Sequence, residues 1–265
     1  MAEGAGALIR RFLHLDVHAF FAGVEVARDP ALAGRPLVVG GAPDGPGLVI
    51  DASPEARARG VRPGLPLRRA AGLCPDAVFV EGRIGPYLDA ARRLRAIVAR
   101  VGARADWLAV DEVCVEIDAG LPRAGAVRLA EALRAEIESA IGTGVACGLA
   151  ATRIAAQVAA RLVRPRGLLV VLPGYERRLL APLALERLPG LDAATAARLR
   201  AAGIRTLGEL ATLDPGVAVR LAGRAGAVFV RLAAGRDPVE ERPAGRSLPI
   251  ERRRDASVPV RAASA

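Results

Sequence analysis

Asp16 ends an alternating apolar run, Leu13-His14-Leu15-Asp16-Val17, and two adjacent aromatics, Phe20 and Phe21, follow closely. Apolar side chains at 13, 15 and 17 have the period of a half-buried strand, which turns Asp16 to the other face near the strand's end. A carboxylate there is costly unless water, a partner or a metal takes up its charge. On that stretch alone Asp16 reads as a metal ligand or as a strand-end cap or solvated acid. A second acidic pair, Asp111-Glu112, sits between the apolar runs 107–110 and 113–117. Neighbouring side chains on an extended strand face opposite ways, so both acids serve one site only across a bend. By itself the pair also reads as a solvated turn. Together with Asp16 it gives three carboxylates, which repel one another unless a divalent cation lies among them. Oxygen-only ligands suit Mg²⁺. Two such ions, ~3.5–4 Å apart, clamp the attacking and leaving oxygens of a phosphoryl transfer.

The alternatives narrow on composition. With only His14 and His18, the 265-residue chain offers little for a His-rich zinc site or a Ser-His-Asp triad. His14 reads as a strand-face residue without a special role. Cys74, Cys114 and Cys147 are widely spaced and suit reduced, mostly buried thiols of a cytoplasmic protein. The first residues lack a signal-peptide pattern, and no uncharged apolar run reaches the ~18 residues of a membrane span. Hydrophobic residues make up 52% and aromatics only 3%, so Ala, Val and Leu must fill the core. Lysine is absent, and the net charge of +10 is unevenly placed. Residues 1–150 hold 18 Arg against 18 acids, and residues 151–265 hold 20 Arg against 10. A neutral first part and a basic second part suit a catalytic unit joined to a polyanion-binding unit.

The elements that must position these residues follow from local pattern. A short helix is expected over 20–27, then two strands, 35–41 and 47–52, joined by the turn 42–46. Ser53 is an N-cap with Pro54 in the first turn behind it. Amphipathic helices are expected over 86–101 (Tyr87, Ala91, Leu94, Val98 and Val101 inward) and 123–141 (Val127, Ala130, Leu133, Ile137 and Ile141 inward). A strand over 144–149, a helix over 152–163 and a strand over 168–172 complete an α+β sheet layer backed by helices. From 174 the chain becomes short-segmented and helical, over 176–181, 192–202, 206–212, 215–222 and 225–234. Beyond Pro238 a charged, Pro-rich stretch reads as linker or tail over 239–265.

In this order the motifs resemble those of the Y-family (translesion) DNA polymerases, from about residue 11 to 250. The family's opening D-x-[DN]-x-F-[FY]-A-x-V-E is matched by residues 16–25, with His18 at the second acidic position. Its S-[IL]-D-E is matched by Ala109-Val110-Asp111-Glu112, with Ser lost. The nucleotide-binding stretch A-[SN]-Y-E-A-R-x-x-G-V is matched by residues 52–61, with Pro54 in place of Tyr. G-[IV]-A-x-[NT]-[KR] and K-P-x-G are matched by residues 148–153 and 164–167.

The resemblance implies an α+β palm over 10–30 and 77–172, a small fingers insert over 31–76, and an all-helical thumb with a helix-hairpin-helix over 173–238. It implies that Asp16, Asp111 and Glu112, with the Val17 carbonyl, hold two Mg²⁺ ions. Phe21 would be the steric gate against a ribose 2′-hydroxyl, with Phe20 packed beneath it. Ser53, Arg57 and Arg164 would serve the nucleotide, and Gly190, Asp192 and Arg205 the DNA. Asp192 departs from the usual Gly and could be an N-cap turned away from phosphate. The implied activity is low-fidelity, distributive synthesis across damaged primer-template DNA from deoxynucleoside triphosphates. Residues 246–251 resemble the lead-in to a little-finger domain, which the chain is expected to lack. Contacts with a sliding clamp or other repair proteins would then run through regions outside these residues. A non-catalytic, polymerase-like accessory subunit of a mutagenic repair complex is the competing reading, although such relatives usually lack the acidic triad.

Overall fold

The computed structural model describes residues 10–101 and 104–238; the tail expected over 239–265 lies outside the described residues. In chain order, β1 (Arg11–Val17) and α1 (Phe20–Arg28) precede β2 (Leu37–Val39), β3 (Asp51–Ala52), α2 (Pro54–Ala58), α3 (Leu67–Leu73) and β4 (Val78–Val80). Next come α4 (Ile84–Ala99), β5 (Ala105–Trp107), β6 (Glu112–Ile117), α5 (Arg123–Ile141), β7 (Val145–Ala150), α6 (Arg153–Leu162) and β8 (Gly167–Val170). Five short helices follow: α7 (Glu176–Leu180), α8 (Ala193–Ala201), α9 (Leu207–Leu210), α10 (Pro215–Ala222) and α11 (Gly226–Ala233).

β1 is the centre of a five-stranded sheet ordered β5-β6-β1-β7-β8, antiparallel to both of its neighbours. Leu13, Leu15 and Val17 join Val115 and Leu149 on one face, packed against Leu94, Leu133 and Ile137 of α4 and α5. The helices bury the expected Tyr87, Ala91, Leu94 and Val98 of α4 and Ala130, Leu133, Ile137 and Ile141 of α5, with Ala90, Ile97 and Ala126 beside them, whereas Val101, past the end of α4, and Val127 are only partly buried. The strand is buried on both faces rather than half-buried, with all of Phe12 to Val17 buried. The reason is α6, which lies over the second face on Phe12, Cys114 and Ala150 through Ala155, Ala156 and Ala159. Gly148 permits that approach. A Cβ there would collide with the Ala156 carbonyl oxygen and stand 2.6 Å from the Ala160 nitrogen.

The insert after α1 forms its own three-stranded sheet, β3-β2-β4. β2 and β3 pair as the expected hairpin, Val38 opposite Ala52 and Val39 opposite Asp51. The second edge of β2 pairs in parallel with β4, so Val78–Val80 joins the insert's sheet and extends the insert past the boundary expected at residue 76. Val38, Val49, Ala52, Val61 and Leu67 make its small core.

The last helices bury Leu180, Leu188, Leu199, Leu207 and Phe229 together with Ile154 and Val158 of α6. One helix therefore serves two cores. Caps follow the sequence: Asp192 Oδ1 accepts from the Thr195 N–H at 2.8 Å, and Thr206 with Glu209 forms a capping box on α9. Among the described residues, no helix is long and apolar enough to cross a membrane.

Candidate active site

The site lies where β1 ends against β6. Asp16 and Glu112 are directly opposite in the antiparallel register. Their carboxylate oxygens and a ring nitrogen of His14 all lie within 4.8 Å of one another. Asp111 occupies the bend before β6, which closes through Glu112 as its carbonyl accepts from Leu108 N at 2.9 Å and Ala109 N at 3.2 Å. Its own carbonyl accepts the Val17 N–H at 2.9 Å, tying that bend to the end of β1. The bend is present, but the ligand atoms within 4.8 Å of one another are those of His14, Asp16 and Glu112, and Asp111 is not among them.

The two neighbours live in opposite electrostatic environments. Burial pushes the Asp111 carboxyl up to about 6, and the negative charges of Asp16, Glu112 and Asp51 push the same way. Burial acts on Glu112 too, but hydrogen bonds from His14 and Gln157 and the positive charge of Arg161 overcome it and hold the carboxyl at about 2. Glu112 Oε1 takes His14 Nε2 at 3.0 Å and Gln157 Nε2 at 2.8 Å, with Arg161 Nη2 at 3.6 Å. His14 is thus not an idle strand-face residue; it orients Glu112. Asp16, 5% exposed, is paired with Arg164.

Beside these acids an open cleft of about 790 Å³ is lined by His18, Pro54, Arg57, Arg62, Arg161 and Arg164, among others. Burial and the adjacent Arg57 lower the His18 imidazole below its ordinary value, against the pull of Asp16. Phe20 is 1% exposed in the core, and Phe21 stacks edge-on against both Phe20 (5.4 Å) and Tyr87 (4.8 Å). Ala19 before them holds φ 50, the one positive φ of a non-glycine among the described residues. Such a conformation costs about 1–3 kcal/mol and persists only where surrounding structure imposes it.

The impB/mucB/samB family model matches residues 15–161, spanning both acidic motifs and nearly all of α6. The chain belongs to this family, that of the Y-family DNA polymerases. The DNA polymerase IV of Methanoculleus marisnigri is 38% identical over 236 residues, 87% of this chain and 65% of that protein. That of Streptomyces coelicolor is 37% identical over 257 residues, 93% of this chain and 52% of its own. The chain thus spans about half to two thirds of these relatives' length. Among solved structures, DinB from Sulfolobus solfataricus superposes with a TM-score of 0.78 at 27% identity, over 87% of this chain and 69% of that one. An insertion ternary complex of Dbh DNA polymerase gives 0.79 over the same shares. The α+β arrangement is therefore that of a Y-family polymerase.

DNA polymerases of this kind generally use divalent metals, and the donor set fits one. It presents hard carboxylate oxygens on facing strands, an acid whose proton affinity is raised by burial and by the acids beside it, and a guanidinium standing against Asp16. The residues expected at a Y-family nucleotide site do not all converge. Arg57 and Arg164 reach the cleft. Ser53 does not: it is 3% exposed, and its hydroxyl donates to Arg35 O at 3.2 Å while accepting Leu37 N at 3.0 Å and Ala56 N at 3.4 Å. It caps α2 and ties it to β2. Gly190 and Arg205 are exposed on the helical unit, Gly190 at φ +83, while the Asp192 carboxylate is spent on its cap. Sequence reasoning missed Gln157, Arg161 and Asp51. For Asp51 a signal existed: Leu48-Val49-Ile50-Asp51 repeats the pattern of an apolar run ending on an acid.

Proposed function

We propose that this chain carries out template-directed DNA synthesis across damaged DNA, by low-fidelity, distributive two-metal nucleotidyl transfer. The observation that supports it best is the facing of Asp16 and Glu112 across β1 and β6 with Asp111 locked to Val17. Asp16, Asp111, Glu112 and the Val17 carbonyl would hold two Mg²⁺ ions. When bound, such ions activate the primer 3′-hydroxyl and spread the charge of the transferred phosphoryl group. The protein's own part is positioning. Glu112 is kept ionised and oriented by His14 and Gln157. Arg57 would offer its remaining Nη1 to the triphosphate, and Arg164 would offer bidentate charge, exchanging Asp16 for phosphate as metal neutralises the acid. The Phe21 ring, braced by Phe20 and Tyr87, would exclude a ribose 2′-hydroxyl.

On this reading the five-stranded sheet with α4 to α6 is the palm (10–30 and 77–172, apart from β4, which pairs with the insert). The insert built around residues 31–76 is the fingers. Residues 173–238 form a thumb whose helix-hairpin-helix, around Gly190, Asp192 and Arg205, holds primer-template DNA by its phosphates without reading sequence. Pro54 lines the cleft without a hydroxyl, so one triphosphate contact is lost, costing roughly 1–3 kcal/mol. The three buried free thiols suit a reducing, cytoplasmic setting.

Primer extension with Mg²⁺ tests the proposal. Wild type extends, and Asp111→Ala loses ~100-fold or more, because a metal site supplies several kcal/mol of transition-state stabilisation. Equal extension by both would sink the catalytic assignment, and no extension by either would point to the accessory role.

A further inference from the structure

We infer that Asp51 is a positioning residue that fixes the phosphate arm and the sugar gate of the nucleotide cleft to one another, an inference that rests on the polymerase reading. Asp51 is 3% exposed at the start of β3, and its two carboxylate oxygens gather donors from three separate segments. Oδ1 accepts from Ala52 N at 2.8 Å and from Arg57 Nη2 at 2.6 Å. Oδ2 accepts from Phe21 N at 2.9 Å and Ala22 N at 3.3 Å.

The second pair is unusual in origin. Phe21 and Ala22 are the second and third residues of α1, whose preceding residue, Ala19, offers no side-chain cap. Their amides are the donors an N-cap normally takes. Asp51 takes them from another sheet, and its negative charge suits the positive end of α1. At its other oxygen the same carboxylate orients Arg57, whose Nε is also spent on Ala52 O at 2.8 Å. Two of the three guanidinium nitrogens are thus anchored to the insert. Among the described residues Nη1 has no hydrogen-bond partner, and Arg57 lines the cleft. The arm that meets phosphate and the turn that carries Phe21 therefore share one buried anchor.

Only a carboxylate meets this demand. It accepts four hydrogen bonds on two oxygens, whereas an amide of the same shape would turn an NH₂ group towards N–H donors. The coupling predicts effects at a distance: disturbing Arg57 alters sugar choice, although Arg57 serves phosphate.

Single-nucleotide insertion of matched deoxy- and ribonucleotides by wild type, Asp51→Asn and Arg57→Ala tests this, alongside hydrogen exchange of residues 19–24 in the metal- and nucleotide-free protein. Asp51→Asn should raise KM for the deoxynucleotide and lower deoxy-over-ribo discrimination, each about tenfold, with kcat less affected. Arg57→Ala should lower the same discrimination and speed exchange at Phe21 and Ala22. Should Asp51→Asn not fold, Arg57→Ala carries the test from the other end. A folded Asp51→Asn with wild-type discrimination and exchange overturns the inference, as does an Arg57→Ala that changes KM alone and leaves exchange untouched. Failure of the polymerase reading looks different: wild type then inserts neither nucleotide, while the exchange measurement still reports on the anchor.

Discussion

Asp111 and Glu112 are covalent neighbours with carboxyls held at about 6 and about 2. The difference comes from partners, not from residue type. Asp111 is half-buried among other acids, whereas Glu112 is half-buried among donors on β1 and α6. Gln157 is therefore a residue that acts through another. Gln157→Leu removes the 2.8 Å hydrogen bond to Glu112 while keeping a similar volume. We expect the Mg²⁺ concentration for half-maximal extension to rise ~10–100-fold, as for other groups that orient metal ligands. Titrating extension against Mg²⁺ checks it, and an unchanged requirement would show that Glu112 needs no such support.

At the scale of elements, α6 decides the most. It covers the second face of the sheet, brings Gln157 and Arg161 to Glu112, and gives Ile154 and Val158 to the helical unit. Its seat depends on Gly148, where even one methyl group meets the backbone at Ala156 and Ala160. Gly148→Ala should cost at least about 1–3 kcal/mol, the usual penalty of overpacking, and displace Gln157 from Glu112. A urea midpoint equal to wild type would contradict this. The start of α6 is held from far along the chain. Asp237, just past α11, accepts from Arg153 N at 2.8 Å and Ile154 N at 3.0 Å, adding to the local cap from Thr152. Asp237→Ala should therefore lower stability by about 1 kcal/mol, the worth of a helix cap, in the same urea titration.

At the scale of the whole molecule, the shared helix joins the sheet's core and that of the last helices, so the two should unfold together. The cysteines report on this. Cys74, Cys114 and Cys147 are all buried, and burial pushes the thiols of Cys114 and Cys147 up to about 12. Near pH 8 they are protonated as well as inaccessible, and only the thiolate reacts. Labelling of Cys114 and Cys147 at that pH should proceed at the rate of global unfolding, in step with loss of helical signal through a denaturant series. Fast reaction of either in native buffer would reveal a local opening of the sheet.

The sequence alone determined what depends on near neighbours along the chain. The 3.6 period set the buried faces of α4 and α5, Ser53 and Asp192 announced their caps, and the types and order of Asp16, Asp111 and Glu112 marked the site. Only the tertiary structure decided what depends on which segments meet. No local pattern says that α6 crosses Gly148, so β1 looked half-buried and His14 looked idle. Nothing in 78–80 marked it as the partner of β2, and nothing near Asp51 pointed to the amides of Phe21 and Ala22. Periodicity records which side of an element avoids water; it carries no address for the group that will satisfy a buried charge.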